Sequence, residues 1–168
     1  MKGKLLLAIS LCCLLYAAPA AAAVLSAELR VNGISCPFCA FGIEKKLLDV
    51  DGVDGVEVFL DDGRIAVTFE PETSVTASDL EEAVEKAGFE LAALKLTVQG
   101  SVAEEEGKAR LVSSPTLTFR LVEISASTRE RLRALMAERG SVVIAGVVAE
   151  WNESEPTLAV ESVEARKR

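Results

Sequence analysis

The feature that most limits what this chain can fold into is an Asp62-Gly63 step set between two strand-forming runs. Residues 53–60 and 64–70 each read as a strand, and Asp-Gly between such runs signals a type I′ hairpin. Helical patterns flank the hairpin. Ala40, Ile43, Leu47 and Val50 recur at helical spacing, and Pro37 fits the first helical position, which makes Cys36 the N-cap and puts Cys39 in the first turn. Ser78 with Glu81 three residues on reads as a capping box. It opens a second helix carrying Leu80, Ala83, Val84 and Ala87, and Gly88 stops it. Strand patterns close both ends. Residues 25–34 place Ala27, Leu29 and Val31 on one face, and another strand starts near Phe89.

The resulting order, β-α-β-β-α-β, is the split βαβ of ferredoxin-like folds, and the class is α+β. A second block follows. Leu94, Leu96, Val98, Gly100 and Val102 alternate, so a long strand leaves the first block and enters the second. Glu104-Glu105-Glu106 reads as a hairpin tip, with residues 108–112 returning and residues 116–122 as a third strand. Ser127 with Glu130 marks another capping box, opening a helix whose Leu132, Leu135 and Met136 face inward before Gly140. Residues 141–151 and 157–163 make two more strands, with Trp151 at a strand end. Three strands, a helix and two strands is the order of a small β-rich, OB-like barrel, a resemblance of topology alone. Charge separates the blocks too: residues 24–97 hold 15 acids against 6 bases, residues 98–168 hold 11 against 10. No Gly/Ser/Pro-rich linker lies between them, so a short, stiff junction is expected between a domain at 24–97 and one at 98–168.

Residues 1–23 read as an address. Lys2 and Lys4 precede an apolar stretch over residues 5–18, and small residues with Ala-x-Ala spacing follow. That is a secretory signal, cleaved between about Ala20 and Ala23, although the apolar run over residues 5–24 is long enough to serve as an uncleaved anchor. Cleavage would discard Cys12 and Cys13 and leave a protein that is periplasmic or otherwise exported and not embedded in the membrane. The remaining cysteines, Cys36 and Cys39, would then meet an oxidising compartment.

The chain has no His, which removes imidazole general bases, His-based triads and His-containing zinc or blue-copper sites. A net charge of −8 argues against nucleic acid as a partner. The paired carboxylates Asp61-Asp62 are turn chemistry, and the wider acidic set (Asp49, Asp51, Asp54, Glu57, Asp61, Asp62) reads as a solvated face. Chemistry therefore rests on Cys36 and Cys39. Thiolates are favoured at a helix N-terminus, and two of them three residues apart can clamp one soft ion. With no other His, Cys or nearby Met, two-coordinate Cu(I) or Hg(II) suits the pair better than zinc or cadmium, which want four ligands. Thiol–disulfide exchange and a plain disulfide are the competing uses of the same residues.

In sequence, residues 25–97 resemble the heavy-metal-associated domain family through Gly33-Ile34-Ser35-Cys36-Pro37-Phe38-Cys39, then Ile43, Leu47, Gly52-Val53, the hairpin, and Ala87-Gly88-Phe89. The family includes copper chaperones, metal-pump N-terminal domains and the periplasmic mercuric-ion-binding protein. The resemblance implies that Cys36 and Cys39 are the metal ligands, with Ile34 and Phe89 supporting the metal loop from below. Two departures stand out: Ile34 takes the place of the usual Met, and Pro37 and Phe38 lie where the family usually has small or polar residues. The expectation is an exported metallochaperone, not an enzyme, that captures the ion and hands it to a protein partner such as a membrane transporter or pump. A thiol–disulfide oxidoreductase and a docking adaptor are the alternatives.

Overall fold

The computed structural model describes residues 23–166 except 72, 74, 106, 115–116, 138–139 and 151–154. The proposed signal (residues 1–23) has only its last residue among them, and Trp151 and Lys167-Arg168 lie outside them.

Strand β1 (Ala23–Asn32) buries Ala27, Leu29 and Val31, the face that alternation indicates, and turns Arg30 to solvent. Helix α1 (Pro37–Leu48) starts at Pro37 with Cys36 as its N-cap. Ile43 and Leu47 are fully buried; Ala40 and Val50 are only half-buried. Strands β2 (Val53–Phe59) and β3 (Arg64–Phe69) pair antiparallel with Phe59 opposite Arg64. Four residues therefore make the turn, and only Gly63 among them has a positive φ, 65°. A type I′ turn needs two such residues, so the expected turn type is corrected. The Asp62 carboxylate instead accepts the Arg64 N–H at 3.2 Å, and a Cβ at Gly63 would sit 2.8 Å from the Val31 carbonyl oxygen.

Helix α2 (Ala77–Lys86) is capped two residues earlier than Ser78 and Glu81 suggest. The Thr76 hydroxyl accepts the Asp79 N–H at 3.3 Å, and the Asp79 carboxylate accepts the Thr76 N–H at 2.8 Å. Burial decides between the two patterns. Starting at Ala77 brings Ala77, Leu80, Ala83 and Val84 onto the sheet and leaves Ser78 exposed. Val75 and Leu80, at the positions of a hydrophobic staple, are both buried. Beneath both helices runs an antiparallel sheet ordered β2-β3-β1-β4, the ferredoxin-like arrangement.

Strand β4 (Glu90–Glu105) carries the chain onward without a break through Thr97-Val98, where the charge balance shifts. Its residues 90–99 pair with β1, while residues 95–100 also pair with β7 (Val142–Glu150), so the two partners hold opposite edges. Residues 101–105 pair with β5 (Lys108–Val112), and β5 with β6 (Thr118–Val122), which starts two residues later than expected. The last strand, β8 (Thr157–Ala165), runs parallel to β6 and antiparallel to β7, closing a five-stranded barrel. Helix α3 (Ala126–Ala137) spans β6 and β7. Its first turn is held by the Ser125 hydroxyl, which accepts the Thr128 N–H at 3.1 Å, so the Ser127–Glu130 capping box is also corrected. Leu132 alone of its inward residues is fully covered; Leu135 and Met136 are half-buried. Gly100 permits the crossover from sheet to barrel, because a Cβ there would clash with the Val112 carbonyl oxygen.

The barrel and the first sheet share one hydrophobic core. Val24, Leu80 and Leu96 from the sheet unit face Leu117 and Phe119 from the barrel across one small void. Among the described residues no helix is long and apolar enough to cross a membrane.

Candidate metal centre

Gly33, with φ 83°, ends β1 and turns the chain out of the sheet. Ile34 then drops into the core at 6% exposure, which anchors the loop two residues before the first cysteine. Cys36 is extended (φ −137°, ψ 149°), and Pro37 begins the helix behind it. The first turn is held at both of Cys36's acceptors: its sulfur accepts the Cys39 N–H at 3.2 Å and its carbonyl accepts the Ala40 N–H at 3.1 Å. A helix start is where free amides and the dipole favour a negatively charged sulfur.

The two Cα atoms are 5.2 Å apart and the sulfurs are joined as a disulfide. Both side chains are half-buried, and Cys39 packs against the core. Among the described residues no group of three or more His, Cys, Asp or Glu comes together that could hold a metal ion. The donor set at this loop is thus two sulfurs. They exist either as a disulfide or, once reduced, as two thiols presented side by side.

Phe89 follows Gly88, whose φ of 86° ends α2, and its N–H donates to the Val84 carbonyl at 3.2 Å. It is half-buried against the same core as Ile34 and Cys39. The acidic residues do not converge. Asp49 caps α1, Asp54 and Glu57 lie on β2, and Asp62 is engaged by Arg30 (3.6 Å) and Arg64 (3.4 Å).

Phe38, the departure noted between the cysteines, is 88% exposed, and Phe41, three residues on along the helix and missed by the sequence reading, is 68% exposed. They give the face of α1 next to the cysteines an aromatic surface. Burial of Ile43 and Leu47 on the opposite side of the helix leaves Phe41 pointing outward.

The heavy-metal-associated domain family matches residues 28–90. The copper chaperone CopZ of Bacillus subtilis (strain 168) is 34% identical over 64 residues, which cover 38% of this chain and 91% of the chaperone. The chain belongs to the heavy-metal-associated domain family. Another similar protein, the copper-exporting P-type ATPase of Bacillus subtilis, is 37% identical over 101 residues, covering 57% of this chain and 12% of the ATPase. Among solved structures, oxidized MerP from Ralstonia metallidurans CH34 aligns at 27% identity with a TM-score of 0.39, covering 42% of this chain and 96% of that one. The heavy-metal-associated match ends at Glu90, where β4 begins; α3 and the strands β5 to β8 lie wholly outside it.

Proposed function

We propose that this protein is an exported carrier that captures a soft thiophilic ion through the Cys36 and Cys39 thiolates and passes it to a protein partner. The observation that carries the reading is the pair itself: two sulfurs at one helix start, with no third donor group assembled among the described residues. Two-sulfur coordination suits Cu(I) and Hg(II) and disfavours zinc and cadmium. Cu(I) is the preferred cargo, because relatives matched over 91% of their own length are named copper chaperones. Transfer proceeds by ligand exchange, a partner's cysteines replacing Cys36 and Cys39 one at a time. A membrane transporter or pump is the proposed recipient, and the aromatic face of Phe38 and Phe41 beside the loop is available for contact.

Since the metal binds thiolates, a dithiol reductant must first open the disulfide by thiol–disulfide exchange, itself becoming a disulfide while Cys36 and Cys39 become thiols, and the ion then displaces their protons. Residues 1–23 act as a cleaved signal in this reading, and the protein works in the periplasm or an equivalent exported space. The pairing order of β4 to β8 supports an OB-like module for residues 98–168, serving docking and not nucleic acid.

The disulfide favours one second reading, a thiol–disulfide oxidoreductase. Anaerobic titration of reduced protein with Cu(I) and Hg(II) against calibrated chelators separates the two. The carrier binds one equivalent tightly and loses it in Cys36→Ser. Failure to outcompete a modest chelator, together with Cys36-dependent reduction of insulin, would establish the redox protein instead.

A further inference from the structure

At the barrel end of the molecule, the β4–β5 tip, β6 and α3 enclose a cleft of about 420 Å³. Its floor is apolar, built from Ala109, Ile124, Leu132 and Met136. Around that floor stand Lys108, Arg120, Arg129 and Arg133, against two acids, Glu104 and Glu123. Arg129, Leu132, Arg133 and Met136 occupy one face of α3 at helical spacing, so the helix presents cations and apolar groups to the cleft together. Lys108, Arg129 and Arg133 are exposed, and none of the three is held in an ion pair among the described residues. Arg129 makes one long bond, 3.4 Å to the Ile124 carbonyl, and Arg120 lies 3.8 Å from Glu155. In a chain of net charge −8, this local excess of positive charge is the reverse of the whole.

We infer that this cleft is a binding site for an acidic peptide segment of a partner protein, with apolar side chains seated on Ile124 and Met136 and carboxylates on the surrounding cations. The interspersed acids decide the class of ligand. Glu104 and Glu123 would repel a dense polyanion such as nucleic acid, whereas a peptide with spaced carboxylates can meet the cations and avoid them. Half-buried Met136 supplies an adaptable contact surface. Position matters as well. The metal loop follows Asn32, which pairs with Glu90 at the start of β4, and the cleft adjoins Glu104 at its far end. At about 3.3 Å per residue, Glu90 and Gly100 alone are roughly 30 Å apart along the strand. A partner segment held in the cleft therefore leaves Cys36 and Cys39 open, and the site acts as a tether separate from ion exchange.

The test uses a short fluorescein-labelled peptide of alternating glutamate and leucine, its glutamine twin, and phosphatidylglycerol vesicles. The expected result is saturable binding of the acidic peptide, with the twin much weaker. Arg129→Glu/Arg133→Glu should weaken the acidic peptide by at least about tenfold. Met136→Ser should weaken it several-fold, and the charge-matched control Lys45→Glu/Lys86→Glu should leave it unchanged. Cu(I) affinity should be the same in all four proteins, which keeps this inference distinct from the carrier reading. Absence of peptide binding, equal binding of the glutamine twin, or equal loss in the control would each overturn it. So would arginine-dependent binding to vesicles without binding to peptide, which would assign the cleft to lipid.

Discussion

Phe119→Ala tests whether barrel and metal-binding sheet are one cooperative unit. Phe119 is fully buried on β6 and faces Val24, Leu80 and Leu96 across the seam between barrel and sheet. Truncating a buried Phe removes its transfer free energy and leaves a cavity, together costing about 3–5 kcal/mol. In a folded unit of this size each kcal/mol moves Tm by about 2–4 °C, so the midpoint should fall by roughly 6–20 °C. Because β4 pairs with β1 on one edge and β7 on the other, the loss should reach both halves. Calorimetry should show a single transition at the lower temperature. Hydrogen exchange, read peptide by peptide near the midpoint, should show α1 and β2 losing protection together with β6 and β8. Cu(I) affinity at 25 °C should not change, because the metal loop sits at the other end of β4. Two separate transitions, with only the barrel's shifted, would refute the shared core.

Three further outcomes follow from the local geometry. Thr76→Ala removes the cap of α2 and should cost about 1 kcal/mol in urea unfolding, whereas Ser78→Ala should cost under about 0.5 kcal/mol; the reverse ranking would restore the cap at Ser78. Gly100→Ala forces a Cβ against the Val112 carbonyl and should destabilise by about 1–3 kcal/mol, with an unchanged denaturation midpoint showing that β4 and β5 can move apart there. Cys36 and Cys39 should resist iodoacetamide in unreduced protein and both take up label after reduction, as read by peptide mapping; labelling without reductant would mean that the pair rests as thiols.

Much of the first unit was legible because its signals are local. Pro37 at the first helical position and the cysteines around it depend on neighbouring residues alone, and the structure caps α1 at Cys36 as that pattern indicates. The alternation of Ala27, Leu29 and Val31 likewise needs only one buried face. The caps of the later helices were misplaced by two residues. Thr76-Asp79 forms the capping box of α2 in place of Ser78-Glu81, and the Ser125 hydroxyl, not that of Ser127, holds the first turn of α3. The winner at α2 is the start that puts Ala77 and Leu80 on the sheet. The hairpin turn failed for a related reason. Asp62-Gly63 marks the place, but the pairing of Phe59 with Arg64 sets the loop at four residues and leaves Asp62 with an ordinary φ.

By itself, the sequence determined the cysteine pair, its place at a helix start, the succession of helices and strands along the first unit and the lack of any imidazole. Tertiary structure decided what depends on pairs distant in the chain. It joined β4 to β7 and β6 to β8, welded two blocks of different charge into one core, turned Phe41 outward beside Phe38, and gathered Lys108, Arg120, Arg129 and Arg133 around one apolar floor. Those outcomes rest on register and on which faces meet, and no short window of residues carries either.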